Sequence, residues 1–132
     1  MSLNVNLQPI KILYIPSKRG ISGAEEAFTK LESSLPNLKS RKFYGLVFGT
    51  PPHETYWACV AFTTPDSAIS GCKIGEIPGG KYIQERIYNW EKNIDAIGKT
   101  FKRLIDENTI DTKRPCVEYY HGMNYMIVRV PI

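Results

Sequence analysis

Pro115-Cys116-Val117-Glu118-Tyr119-Tyr120, then His121-Gly122-Met123-Asn124, then Tyr125-Met126-Ile127-Val128-Arg129-Val130-Pro131: the reading of this stretch decides the fold. Its β-branched and aromatic bias reads as two strands joined by a turn. One residue is out of place. Glu118 sits inside a strand that otherwise reads as buried, and a carboxylate there is costly unless something positive meets it. A ligand can be that something.

Working outward, Trp90, Ile94, Ile97, Phe101, Leu104 and Ile105 form one apolar face at helical spacing, and Asn89 is placed to cap that helix. Residues 73–87 before it read as a strand broken by Pro78-Gly79-Gly80, a bend or bulge. The first half has the same order. Residues 10–15 are strand-like. Ser22 and Glu25 have capping-box spacing. Ala24, Ala27, Phe28, Leu31 and Leu35 share a helical face, and Pro36 marks its end. Residues 42–48 and 56–62 read as strands, with Pro51-Pro52 and His53 in the loop between them. The polar, turn-rich segment 63–71 connects the halves. The order is β-α-β-β twice, in halves of about 4–63 and 72–132 within one domain, 1–132.

This pattern predicts an α+β fold: duplicated β-α-β-β units forming one antiparallel sheet with two helices on one face. The other face is expected to form a ligand groove between the halves, since ligand sites favour such junctions.

Composition narrows the class. The chain has 132 residues, 42% hydrophobic and 23% charged, which fits one globular domain rather than a disordered or fibrous chain. Its apolar runs are strand-length, too short to span a bilayer, and no signal peptide is visible. Three widely spaced cysteines, Cys59, Cys72 and Cys116, form neither a CxxC pair nor a zinc pattern. They read as small apolar residues of a reducing cytoplasm, with no metal site and no cofactor expected. The net charge is +4, but the basic residues come in scattered pairs, so no DNA-binding face is expected. His53 and His121 lie in predicted turns and assemble no nucleophile–base pair. Gly79-Gly80 is not part of a phosphate loop.

Strand alternation puts Cys116, Glu118 and Tyr120 on one face and Val117 and Tyr119 on the other. If Glu118 faces the groove, Tyr120 joins it and Tyr119 lies under a helix. Other aromatic candidates for the ligand walls are Tyr44, Tyr56, Trp57, Tyr88 and Trp90.

The chain also resembles a known family. Tyr56-Trp57-Ala58-Cys59-Val60 is similar to a "YDACV" strand, and Ile77-Pro78-Gly79-Gly80-Lys81-Tyr82 to "IPGGxYA". Pro115 to Tyr120 is similar to "P-x-x-E-x-Y", followed by an "I-x-[IV]-P" ending at Val128-Arg129-Val130-Pro131. These motifs belong to the GyrI-like small-molecule-binding domain, the effector-binding domain of bacterial AraC- and MerR-type multidrug-responsive regulators. Two departures stand out. Trp57 replaces the motif's aspartate, and Arg86-Ile87-Tyr88-Asn89-Trp90 replaces "H-x-G-x-Y".

The resemblance implies that the domain binds amphipathic, often cationic or aromatic, small molecules in a central groove, with Glu118 meeting the positive charge. With no room for a DNA-binding unit, the chain is expected to be a stand-alone member. Some stand-alone relatives interact with DNA gyrase, so a regulator or gyrase is an open possibility as protein partner. Others are hydrolases of electrophilic compounds, which makes Glu118 the catalytic candidate in that alternative. Related folds bind haem, but no His or Cys here stands out as an axial ligand.

Overall fold

The computed structural model describes residues 2–63, 69, 71–122 and 124–132. Its eight strands are β1 (Leu3–Leu7), β2 (Ile10–Pro16), β3 (Phe43–Phe48), β4 (Thr55–Ala61), β5 (Lys73–Ile77), β6 (Gly80–Tyr88), β7 (Cys116–His121) and β8 (Tyr125–Pro131). Helix α1 (Ala24–Ser34) joins β2 to β3, and α2 (Ile94–Glu107) joins β6 to β7. The strands form one antiparallel sheet in the order β1-β6-β8-β7-β3-β4-β2-β5. The fold is α+β, built from two units in each of which a leading strand precedes a β-α-β-β run.

That order is a palindrome of the two units. β3 and β7 meet at the centre, and each half's leading strand crosses to the far edge of the other half. β1 pairs with β6, and β5 pairs with β2. Residues 73–87 are therefore two strands, β5 at one edge of the sheet and β6 next to the opposite edge strand, not one strand with a bulge. Proline ends the ladder on each crossover, at Pro9 and Pro78. The two crossovers touch: a Cβ built on Gly79 would lie 2.7 Å from the Leu7 carbonyl oxygen and 2.8 Å from the Pro9 ring. β1 itself was not expected. The alternation Leu3, Val5, Leu7 is its only sequence signal, and its ladder to β6 is a long-range contact.

Both helices lie on one face. Ala27 and Leu31 of α1, with Leu35 just beyond its end, pack on Leu13, Ala58 and Val60. Leu104 of α2 packs with Ile83, Ile87, Met126, Val128 and Val130. The other face is not an open groove. The sheet curls around it, bringing Ile12, Ile77 and Tyr82 from its flanks onto Tyr44, Leu46, Cys59 and Val117. That core fills the space where the sequence pattern placed the ligand groove.

The helix starts differ from the expected caps. Ser22 donates to the Arg19 carbonyl, and α1 begins after Gly23 without a side-chain cap. Asn89 is left-handed, with φ of 51°, and leads into a 3-10 turn, Trp90–Lys92. α2 starts only at Ile94, so Trp90 lies outside it. Ile94 and Ile105 are exposed; the buried side of α2 runs through Thr100 and Leu104 instead. Most of the connection at 63–71, and Met123 of the last turn, lie outside the described residues. Among the described residues, no helix is long and apolar enough to cross a membrane.

Candidate functional site

Glu118 lies on β7 at the centre of the sheet, opposite Gly45 of β3. It points to the helix side, because Tyr120, Val128 and Tyr56 share its face through the β7–β8 and β3–β4 ladders. α1 packs on β2 and β4, and α2 on β6 and β8. The carboxylate therefore stands over β3 and β7, in the gap between the two helices.

Only 6% of Glu118 is exposed. Its Oε1 accepts two phenol hydroxyls, from Tyr56 at 2.5 Å and Tyr120 at 2.7 Å. Its Oε2 accepts no hydrogen bond from the described residues, yet it is not sealed from solvent. No Lys or Arg among the described residues pairs with it. Burial raises its pKa above the ordinary carboxylate value, and the Tyr56 and Tyr120 hydroxyls partly offset this. Burial and the carboxylate likewise hold both tyrosines protonated, so they act as donors.

Gly45 makes this arrangement possible. A Cβ there would run into the Tyr56 hydroxyl and Glu118 Oε1. Aromatic rings complete the enclosure. Phe28 of α1 stands edge-on to Tyr120 at 5.6 Å and to Tyr56 at 6.2 Å between centroids. Trp90 meets Tyr120 edge-on at 5.1 Å, and its Nε1 donates to the Gly122 carbonyl at 3.2 Å. Surface hollows near Ile15, Ser17 and Ala27, and near Glu91 and Asp95, do not reach Glu118. The rings themselves cover most of the site.

Of the residues singled out from sequence, the structure brings together Glu118, Tyr120, Tyr56 and Trp90. It places Tyr44, Trp57 and Tyr88 on the helix-free face. Tyr119 is there too, stacked on Tyr44 at 4.9 Å rather than covered by a helix. Sequence reading missed Phe28, hidden in an ordinary apolar stripe of α1, and Gly45, a lone glycine in a strand. That lone glycine was a legible signal of close approach.

The chemistry available here is that of a carboxylate in an aromatic box: it can meet a cation or take a proton. Among the described residues no three His, Cys, Asp or Glu side chains gather as metal ligands. Burial and Glu118 push the Cys116 thiol up to about 11, leaving it a poor nucleophile. Cys59 is pushed up in the same way.

No protein-family model and no curated protein matches this chain. Solved structures do. An integron cassette protein from the mobile metagenome of Vibrio cholerae is 13% identical with a TM-score of 0.73, over 98% of this chain and 94% of that one. The C-terminal domain of EcmrR is 8% identical with a TM-score of 0.71, over 99% and 96%. SAV2435, solved bound to tetraphenylphosphonium, is 10% identical with a TM-score of 0.70, over 99% and 93%. At these identities the likeness is one of fold alone.

Proposed function

We propose that this chain binds amphipathic cationic or aromatic small molecules over Glu118, in the gap between α1 and α2, as a regulator-like effector-binding domain. The observation that carries the proposal is a buried carboxylate among Phe28, Tyr56, Trp90 and Tyr120 with no basic partner among the described residues. A cation inserted there recovers the electrostatic cost of burial and lies against ring faces, worth roughly 0.5–2 kcal/mol per cation–aromatic contact. Entry requires Phe28, Trp90 or Tyr120 to swing aside. That the similarly folded SAV2435 holds tetraphenylphosphonium, a lipophilic cation, supports this ligand class.

The proposal treats 1–132 as one effector-binding unit in the cytoplasm, with a small molecule as partner and no direct DNA contact. The test is titration with methyltriphenylphosphonium against its neutral counterpart triphenylphosphine oxide. Wild type should favour the cation, and Glu118→Gln should lose most of that preference. Equal affinities of wild type and variant for the cation would refute the role.

The second reading is a hydrolase, and the free Oε2 favours it. Two phenols anchor Oε1, leaving Oε2 to take a proton from water as that water attacks an epoxide carbon; the ring C–O bond breaks, and the alkoxide formed takes up that proton, giving a diol and returning the carboxylate. A raised pKa brings the carboxylate closer to a useful base at neutral pH, where such assistance contributes roughly 10²–10⁴-fold. Product formation from styrene oxide by wild type, abolished in Glu118→Gln, would support it. Turnover that survives the substitution would remove Glu118 from the mechanism.

A further inference from the structure

The helix-free face carries the opposite electrostatic problem. Arg129 of β8 pairs across the ladder with Val117, one residue from Glu118 but on the other side of the sheet. It is half-buried, and its Nε donates to Gln84 Oε1 at 2.8 Å. Its guanidinium lies over the Tyr119 ring, 5.3 Å from the centroid. Its Nη1 and Nη2 have no hydrogen-bond partner among the described residues and are not sealed from solvent. Burial lowers its pKa from the ordinary range.

The sign of the whole face agrees. The ladder registers put all three strand carboxylates, Glu76, Glu85 and Glu118, on the helix side. They put Lys73, Arg86 and Arg129 on the helix-free side. The loop carboxylate of Asp111 is bonded to Arg114. Beside Arg129 runs an aromatic path: Tyr44 on Tyr119, Tyr119 on His121, His121 stacked on Tyr125 at 4.5 Å, and Arg86 over Tyr125 at 4.2 Å.

We propose that Arg129 is the anchor of a second ligand site, for a small oxyanion carried on an aromatic ring. The two terminal nitrogens of Arg129 offer the fork that a carboxylate or phosphate accepts. The Tyr119 path offers a ring surface beside it, and Arg86 adds positive charge at the exposed end. The site is separate from the Glu118 cleft and does not rest on the reading given for it.

The test is calorimetric titration of wild type, Arg129→Gln and Arg129→Lys with benzoate, phenyl phosphate and neutral benzamide. At least one anion should bind wild type better than benzamide, and which one binds identifies the head group. Arg129→Gln should weaken that anion roughly tenfold or more, the scale of a charge-assisted hydrogen bond. Arg129→Lys should fall between, because a point charge lacks the fork. Excess methyltriphenylphosphonium should not displace the anion. Amide shifts in an NMR titration should centre on Tyr82, Tyr119 and Arg129, which keeps the test alive if a variant folds poorly. No preference for either anion over benzamide, unchanged affinity in Arg129→Gln, or shifts centred on the Glu118 cleft would overturn the proposal.

Discussion

The two β-α-β-β halves share a backbone plan but carry opposite decoration at the centre of the sheet. Where β3 and β7 meet, one half contributes Gly45 and the other Glu118, facing each other in the ladder. The same inversion recurs at the helices. The fifth residue of α1 is Phe28, which touches Tyr56 and Tyr120; the fifth residue of α2 is Gly98. The 3-10 turn before α1 opens with Gly20, and the one before α2 with Trp90. A duplicated frame alone would place two carboxylates against each other on the junction. Glycine on one side and glutamate on the other gives a single acid with just the space for its carboxylate and the Tyr56 hydroxyl, roofed by rings from both halves.

The hardest blow to this asymmetry is Gly45→Val. Its side chain would collide with the Tyr56 hydroxyl and Glu118 Oε1 in a packed core. Overpacking combined with displaced hydrogen bonds should cost about 3 kcal/mol or more, read as a loss of denaturant midpoint. A variant as stable as wild type would show that the glycine is not needed for the acid to fit.

Tyr56→Phe keeps the ring and removes one donor from Glu118 Oε1. The expected loss is roughly 1–2 kcal/mol in chemical denaturation. Because the hydroxyl holds the Glu118 pKa down, the variant should also raise that pKa further. A carbon-detected NMR titration of the Glu118 carboxyl that gave the same midpoint in both proteins would break the link.

The pH dependence follows in sign from the same residue. Glu118 is raised in the folded state, so it binds protons more tightly folded than unfolded. Its contribution to stability is complete below the unfolded carboxylate pKa and is lost as pH rises through the folded pKa. The slope from this one group cannot exceed about 1.4 kcal/mol per pH unit. In Glu118→Gln that component should vanish, so the stability difference between variant and wild type should grow in the variant's favour as pH rises over this window. Cation affinity runs the other way, falling as pH falls and Glu118 protonates. A constant difference between the two proteins across the window would mean the acid titrates normally.

The smallest effect sharpens the comparison from the other half. Gly98 is exposed and helical, and a Cβ there meets nothing within 4 Å. Gly98→Ala should stabilise by roughly 0.5–1 kcal/mol, visible as a raised melting temperature. Destabilisation would mean that α2 needs the gap at its fifth residue, as the site needs the one at Gly45.

Local pattern carried much of this protein. Periods of two and of 3.6 residues marked seven of the eight strands and both helices in order, although they merged β5 and β6 into one. A charge out of pattern marked Glu118, and alternation correctly joined it to Tyr120. These properties depend on neighbours in the chain, so they are written in it. The face on which the helices sit is different. Alternation says which residues share a side but not which side the helices cover, and so Tyr44, Trp57 and Tyr88 stand level with Tyr56 as candidates until packing separates them. The crossing of β1 and β5 to opposite halves, the Gly45 gap beneath Glu118, and an Arg129 bonded to no carboxylate among the described residues all depend on pairings between distant residues. Those were decided only when the sheet closed its register and curled over its own core.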